Sequence, residues 1–253
     1  MGTLFELTGK VALVTGASRG LGRSIAQGLA EAGADLVLTS RHLRDVEAVA
    51  AELGRGRRKV LPLQADVTQE AEVEEMVAGA VASMGKIDIL VNNAGINIRK
   101  PVLDLTESDW DQTLDTNLKG CFLGAKAVGR HMLARQTGSV VNIASMLATV
   151  VHPDRAAYAS SKGGLVQLTR VLAVEWAPYN VRANAICPGP FLTDLNKAIL
   201  NDPEKLRWFM DRLPMKRFGR PEELVGSVIF LASEASSYIT GTTIYIDGGW
   251  TAL

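Results

Sequence analysis

Apolar and polar residues change period repeatedly along the chain. Lys10 to Thr15 is a short β-branched run, and from Leu21 to Ala32 the apolar positions Leu21, Ile25, Leu29 and Ala32 recur at helical spacing. The same reading predicts strands over Asp35 to Thr39, Lys59 to Leu63 and Asp88 to Asn92, with helices over His42 to Leu53 and Thr68 to Met84 between them. A long helix is predicted over Glu107 to Ala134. It is followed by strand Ser139 to Ala144, helix Ala156 to Trp176, strand Val181 to Ile186, helix Pro221 to Ala232 and a last strand Gly241 to Ile246. Short apolar strands alternating with helices demand a parallel sheet covered on both faces, joined by right-handed crossovers. The expected fold class is therefore doubly wound α/β. Ligands of such sheets sit outside the carboxyl ends of the strands, so the loops there hold the candidate chemistry.

Composition changes this picture only by exclusion. The chain has 253 residues, 47% hydrophobic and 21% charged, which suits one large α/β domain (1–253) with no evident linker. Lys+Arg 27 against Asp+Glu 27 leaves a formal charge of zero, so no global field draws it to nucleic acid or anionic lipid. No uncharged run approaches membrane-span length and no signal-peptide pattern precedes the first strand, which points to a cytoplasmic protein. Cys121 and Cys187 are too few for a disulfide framework and lack zinc-site spacing, so they read as buried free thiols, and no metal site is expected.

Between the first strand and first helix lies Thr15-Gly16-Ala17-Ser18-Arg19-Gly20-Leu21-Gly22. Backbone N–H groups and the helix dipole can hold a pyrophosphate at such a place. Gly16 suits a tight turn, Gly20 close approach of a ligand, and Gly22 close contact of helix and strand. The spacing differs from the Gly-x-Gly-x-x-Gly dinucleotide fingerprint.

Tyr158 and Lys162 are four apart in a helical pattern and share one face. An ammonium beside a phenol favours phenolate and brings the tyrosine towards a useful acid/base range. Ser145, at a strand's carboxyl end, is placed to donate to a carbonyl oxygen as negative charge develops there. Taken singly, a tyrosine at a helix start reads equally as packing, a serine at a strand end as a cap, and a lysine as a solvated charge.

The four motifs Thr15-Gly-x-x-x-Gly-x-Gly22, Asn92-Asn93-Ala94-Gly95, Ser145 and Tyr158-x-x-x-Lys162, in this order, resemble the short-chain dehydrogenase/reductase family over essentially the whole chain. The resemblance implies a Rossmann-like sheet of about seven strands, a nicotinamide cofactor and a homotetramer. It implies that Lys162 holds the nicotinamide ribose and that Asn117 supports a water relay returning the proton from bulk. Cofactor contacts are implied for Ser18, Leu21, Asn93, Ala94 and Gly95, and for Asp66 and Val67 near the adenine. Pro188-Gly189-Pro190-Phe191-Leu192-Thr193 is expected to pass beneath the nicotinamide, with Thr193 near the carboxamide or pyrophosphate and a substrate lid within about 188–214.

The second strand ends Thr39-Ser40-Arg41 with no acid at its tip. A carboxylate there would bind a ribose 2′-hydroxyl, whereas arginine accommodates a 2′-phosphate, so Ser40, Arg41 and Arg19 favour NADP(H) over NAD(H). Both arginines can also be read as solvated loop residues. Asp66 serves equally as an adenine acceptor or a helix-start cap.

Gly95-Ile96-Asn97-Ile98-Arg99-Lys100-Pro101, Ala144-Ser145-Met146 and Asp247-Gly248-Gly249-Trp250 are similar to the sugar-acid branch of the family, which includes gluconate 5-dehydrogenases and deoxygluconate dehydrogenases. Arg99 suits a bidentate carboxylate contact, with Lys100 as a second positive group. Arg99 can equally pair with an acid on a neighbouring chain or face solvent. The competing expectations are a 3-oxoacyl thioester reductase with Arg130 and Arg135 flanking a carrier-protein entrance, and an NADP(H)-sensing module without turnover.

Overall fold

The computed structural model describes residues 4–55 and 58–252. Seven strands form one parallel sheet: β1 Val11–Thr15, β2 Asp35–Ser40, β3 Val60–Gln64, β4 Ile89–Asn92, β5 Gly138–Ile143, β6 Val181–Pro188 and β7 Thr243–Ile246, in the order β3-β2-β1-β4-β5-β6-β7. The first half winds outward from β1 and the second half outward from β4, which are neighbours. Their carboxyl ends therefore open a crevice where the strand order reverses.

Alternation along β1 assigns the two faces. Ala12 and Val14 pack under α1 Gly20–Glu31, α2 Leu43–Leu53 and α9 Glu222–Ala232, through Ile25, Leu29, Val46, Val49, Leu224 and Val228. Val11 and Leu13 pack on the other side under α3 Glu70–Met84, α5 Gly120–Arg135 and α6 Ala156–Trp176. Both faces of the strands are buried, which is why they read as continuous apolar runs. Among the described residues no helix is long and apolar enough to cross a membrane.

The helix predicted over Glu107 to Ala134 is the main departure from the pattern. It is interrupted: α4 Glu107–Leu114 runs into a π-helical turn, Asp115–Lys119, before α5. Apolar periodicity barely registers one extra residue in a turn, so the interruption is invisible to it. Between β6 and α9 lie the short helices α7 Lys197–Leu200 and α8 Pro203–Arg212, the latter capped by the Asp202 carboxylate. Phe209, Trp208, Phe218 and Trp250 form a separate aromatic cluster there, joined by His152 from the loop after β5.

Candidate active site

A cleft of about 840 Å³ lies across the carboxyl ends of the strands. Its walls include Gly16, Ser18, Arg19, Gly20, Leu21 and Gly22 from the first turn, Ser40 and Arg41 after β2, Asp66 and Val67 after β3, and Asn93, Ala94 and Gly95 after β4. Ser145, Tyr158, Lys162, Pro188, Gly189 and Thr193 complete it from the other half of the sheet. Residues as distant in sequence as Gly16 and Thr193 thus meet at one edge.

The first turn is built around missing side chains. A Cβ on Gly22 would lie 2.2 Å from the Gly16 carbonyl oxygen and 2.4 Å from Asn93 Nδ2. A Cβ on Gly20 would meet Thr193 only at ordinary contact distance (3.9 Å), but its φ of +56° lies in the left-handed region that favours glycine. Asn93 locks the turn from β4: its Nδ2 donates to the carbonyls of Thr15 (2.9 Å) and Gly16 (3.1 Å). Thr15 Oγ1 in turn accepts from the backbone N–H groups of Asn93 (3.0 Å) and Ala94 (3.1 Å). The Asn-Asn-Ala-Gly string is the clamp of the cradle as well as a wall of the cleft.

At the far end of the cleft Arg19 and Arg41 are exposed and make no ion pair among the described residues. Ser40 is a partial correction to the sequence reading. Its hydroxyl donates to the His42 carbonyl (2.7 Å) and accepts from the His42 N–H, so its proton is spent on the local turn. Thr39 Oγ1, one residue earlier, is instead a buried cleft-wall atom with no partner among the described residues. A polar atom left over in this way fits a polar ligand. Asp66 lines the cleft, and its Oδ1 accepts from the Thr68 N–H (2.9 Å) and hydroxyl (2.8 Å) in the turn ahead of α3, whose N-cap position is Gln69.

The three candidate proton-transfer residues converge. Tyr158 lies in the first turn of α6, half-buried, and Lys162 Nζ sits 5.7 Å from the centre of its ring. Lys162 is almost fully buried and donates to the Ile143 carbonyl (2.7 Å), while a Cβ on Gly95 would stand 3.6 Å from its Nζ. Ser145 Oγ accepts from the Leu147 N–H (3.2 Å), which leaves its own hydrogen to donate elsewhere. Behind it the Ser145 N–H meets the Cys187 thiol. Burial first, against opposing contributions from that N–H and Lys162, pushes this thiol up to about 11.

Asn117 falls in the π-helical turn and is fully buried. Its Oδ1 accepts from the Ile96 N–H (2.8 Å), and its Nδ2 donates to the Ile96 carbonyl (2.9 Å) and Ser161 Oγ (3.1 Å). Ser161 then donates to the Tyr158 carbonyl (2.7 Å). The side chain is a brace between the β4 loop and the first turn of α6.

The substrate end carries the largest corrections. Lys100 does not face the cleft with Arg99; its Nζ binds Asp109 Oδ2 at 2.6 Å, in the capping box that starts α4. Arg130 pairs with Glu74 of α3 at 2.9 Å. Arg135 pairs with Asp88 at 2.7 Å, before β4 and hence at the amino ends of the strands, away from the cleft. Neither is among the residues that line the cleft. Arg99 is half-buried; its Nη2 donates to Asn196 Oδ1 (3.3 Å), and Asn196 lines the cleft. Burial lowers its basicity, opposed in part by Tyr158.

Comparisons agree with this geometry. A family model described as enoyl-(acyl carrier protein) reductase matches residues 16–251. Gluconate 5-dehydrogenase of Gluconobacter oxydans is 39% identical over 248 residues, covering 98% of this chain and 97% of its own. The chain belongs to the short-chain dehydrogenase/reductase family. Within it, the NAD-dependent glycerol dehydrogenase of Listeria innocua is 42% identical, over 98% of this chain and 96% of that one. The crystal structure of a gluconate 5-dehydrogenase from Burkholderia cenocepacia in complex with NADP and tartrate superposes with a TM-score of 0.96 at 40% identity, covering 99% and 98% of the two chains. This short-chain dehydrogenase/reductase is accordingly an NAD(P)-dependent oxidoreductase acting on CH–OH groups.

Proposed function

We propose that this enzyme interconverts a sugar acid and its keto acid, of the gluconate/5-ketogluconate kind, with NADP(H). The observation that carries the reading is Arg99, half-buried and bonded to Asn196 on the wall of the cleft that also holds Ser145 and Tyr158, where a cation serves a substrate that brings its own carboxylate. Arg19 and Arg41, exposed at the other end of the cleft with no acid at the tip of β2, support the 2′-phosphate of NADP(H). The nicotinamide supplies or accepts hydride when bound. Glycines 16, 20 and 22 and the N-terminus of α1 would hold its pyrophosphate, and Lys162 its ribose.

Reduction asks three things of the protein's own side chains. Ser145, its oxygen already occupied by the Leu147 N–H, donates its hydrogen to the substrate carbonyl and stabilises the negative charge that develops there. Tyr158 gives its phenolic proton to the same oxygen, and the Lys162 ammonium stabilises the phenolate left behind. Asn117 holds the β4 loop and Ser161 in register beside them; the proton returns from bulk along waters that this brace keeps aligned. The segment from 188 to 214 serves as substrate lid, tied to the site by the bond from Arg99 to Asn196. Exposed Phe122 on α5 and Val171 and Val174 on α6 suit burial against further copies in a homotetramer.

The test follows cofactor absorbance with NADPH and NADH offered separately, against 5-ketogluconate and a 3-oxoacyl thioester under matched conditions. The proposal expects the keto acid with NADPH to be fastest. Faster thioester reduction would place the enzyme with acyl reductases, and no turnover of either would mean a different CH–OH substrate.

A further inference from the structure

We propose that Glu223 is a positioning residue for the cofactor: through Arg217 and Arg220 it holds the segment 217–220 against the loop after β6, and so fixes Phe191 and Thr193 in the wall of the cleft. The inference rests on the placement of the nicotinamide beside Tyr158 and on no particular substrate.

Between β6 and α9 the chain makes an excursion through α7 and α8, and the two ends of that excursion are joined. Phe191 and Gly219 form an isolated parallel bridge, in which the Leu192 N–H donates to the Gly219 carbonyl (2.8 Å) and the Gly219 N–H to the Pro190 carbonyl (3.0 Å). The approach needs a glycine: a Cβ on Gly219 would stand 2.7 Å from the Phe191 ring. Phe191 packs with the sheet core, whereas Phe218 packs with Phe209 and Leu213 of the excursion itself, so the bridge is a seam between two apolar clusters.

The Glu223 carboxylate, in the first turn of α9, closes this seam. It accepts a fork from Arg217 Nη1 (2.7 Å) and Nη2 (2.8 Å), the Arg220 N–H (2.8 Å) and, at 3.4 Å, the Arg220 guanidinium. Phe218 and Gly219 are thereby bracketed from both sides by one acid. Single surface pairs contribute little, but a bidentate fork joined by a backbone donor fixes geometry as well as charge. The Arg217 bond, then the Arg220 N–H, holds the carboxyl down to about 2 against partial desolvation, so the clamp stays charged at any ordinary assay pH.

On the inner side the bridge ends in the cleft. Phe191 and Thr193 line it, and Thr193 lies opposite Gly20 of the first turn. β6 neighbours β5, whose carboxyl end carries Ser145, whereas Arg41 follows β2 in the other half of the sheet. The clamp therefore acts on the nicotinamide half of the dinucleotide and leaves the adenosine half alone.

The experiment measures by calorimetry the Kd of NADPH and of its adenosine half, adenosine 2′,5′-bisphosphate, in the parent, Glu223→Gln and Gly219→Ala. NADH and AMP take their place if the parent binds NADH more tightly, so the cofactor preference fails or stands apart from the clamp. Both variants are expected to bind the dinucleotide at least fivefold more weakly and the adenosine half within twofold of the parent. Arg217→Met added to Glu223→Gln should cost nothing further, since the two act as one unit. A smaller loss of dinucleotide affinity in Glu223→Gln, an equal loss for both ligands, or additive losses in the double variant would each overturn the proposal. If Glu223→Gln does not fold, Arg217→Met, which leaves the start of α9 untouched, carries the same thresholds. The parent tests the placement separately: NADPH bound no more tightly than its adenosine half would remove the nicotinamide from this wall, and the task of the clamp with it.

Discussion

Single side chains decide the chemistry at three places along the cleft. At its reacting end, Tyr158→Phe removes one oxygen and keeps the ring over Lys162. Turnover should fall by roughly two to four orders of magnitude, the usual worth of a general acid, while cofactor affinity in a fluorescence titration stays near the parent's. Turnover within tenfold of the parent would dismiss Tyr158 as the proton donor. At the opposite end, Arg41→Asp puts a carboxylate at the tip of β2, where it repels a 2′-phosphate and accepts from a 2′-hydroxyl. The ratio of kcat/KM for NADPH over NADH should fall at least tenfold; an unchanged ratio would discredit the phosphate site. In the cradle between them, Gly22→Ala places a methyl 2.2 Å from the Gly16 oxygen, with backbone on one side and the Asn93 clamp on the other. Neither can retreat without opening the turn, so cofactor affinity should drop at least tenfold and the melting temperature with it.

Among the elements, the join between α4 and α5 is where local pattern and tertiary demand part company. An uninterrupted helix from Glu107 would rotate the Asn117 side chain away from Ile96; the π-helical turn puts it into the space between β4 and α6. Asn117→Leu keeps the branched shape but strands the Ile96 N–H and carbonyl, while Ser161 Oγ loses one donor and keeps its bond to the Tyr158 carbonyl. Each buried group left unsatisfied costs about 1–3 kcal/mol, so a stability loss of several kcal/mol is expected by chemical denaturation, with faster hydrogen exchange at the Ile96 amide. A loss below about 1 kcal/mol would mean that water replaces the amide and the brace is dispensable. A second buried network, Asn92 to Asn142 (2.9 Å) and Asn142 to Thr169 (2.8 Å), ties β4, β5 and α6 together just beneath the site. The sequence offers the asparagines at strand ends, but only the register Asn92 opposite Asn142 shows that they bind each other.

At the scale of the whole molecule the two ends of the sheet have separate tasks. The carboxyl ends carry the cleft. The amino ends carry Asp88, almost fully buried, which accepts from the Val11 N–H (2.9 Å) and pairs with Arg135 (2.7 Å) and Lys86 (3.0 Å). Burial by itself raises this carboxyl, but the bonds from Arg135, Val11 and Lys86 together outweigh it and leave it below the ordinary value. A carboxylate with a lowered folded-state value stabilises fully above its unfolded value, near ~3.9, and loses that contribution as pH falls through the folded one. Asp88→Asn should therefore lower stability at pH 7 by about 2 kcal/mol and flatten the acid limb of the stability profile below about pH 4. A parallel acid limb in parent and variant would remove Asp88 from acid unfolding. On the outer surface, Val174 on α6 is 77% exposed. If the α5/α6 face is buried in a tetramer, Val174→Lys should yield dimers in size-exclusion chromatography with light scattering; an unchanged mass would move the interface elsewhere.

The alternation of apolar strands and helices determined the fold class by itself, because both faces of the central strands are covered and hydrophobic periodicity records that burial directly. Glycine positions in the first turn, and Tyr158 four residues before Lys162, were legible for the same reason: each depends on short-range backbone geometry that sequence spacing reports. Only the tertiary structure decided which charges serve the cleft. Lys100 sits next to Arg99 in sequence yet is drawn to Asp109, while Arg99 reaches Asn196 and Arg135 is carried to the opposite end of the sheet. A charged side chain's role is set by the partner it meets across the fold, and that meeting leaves no period in the chain.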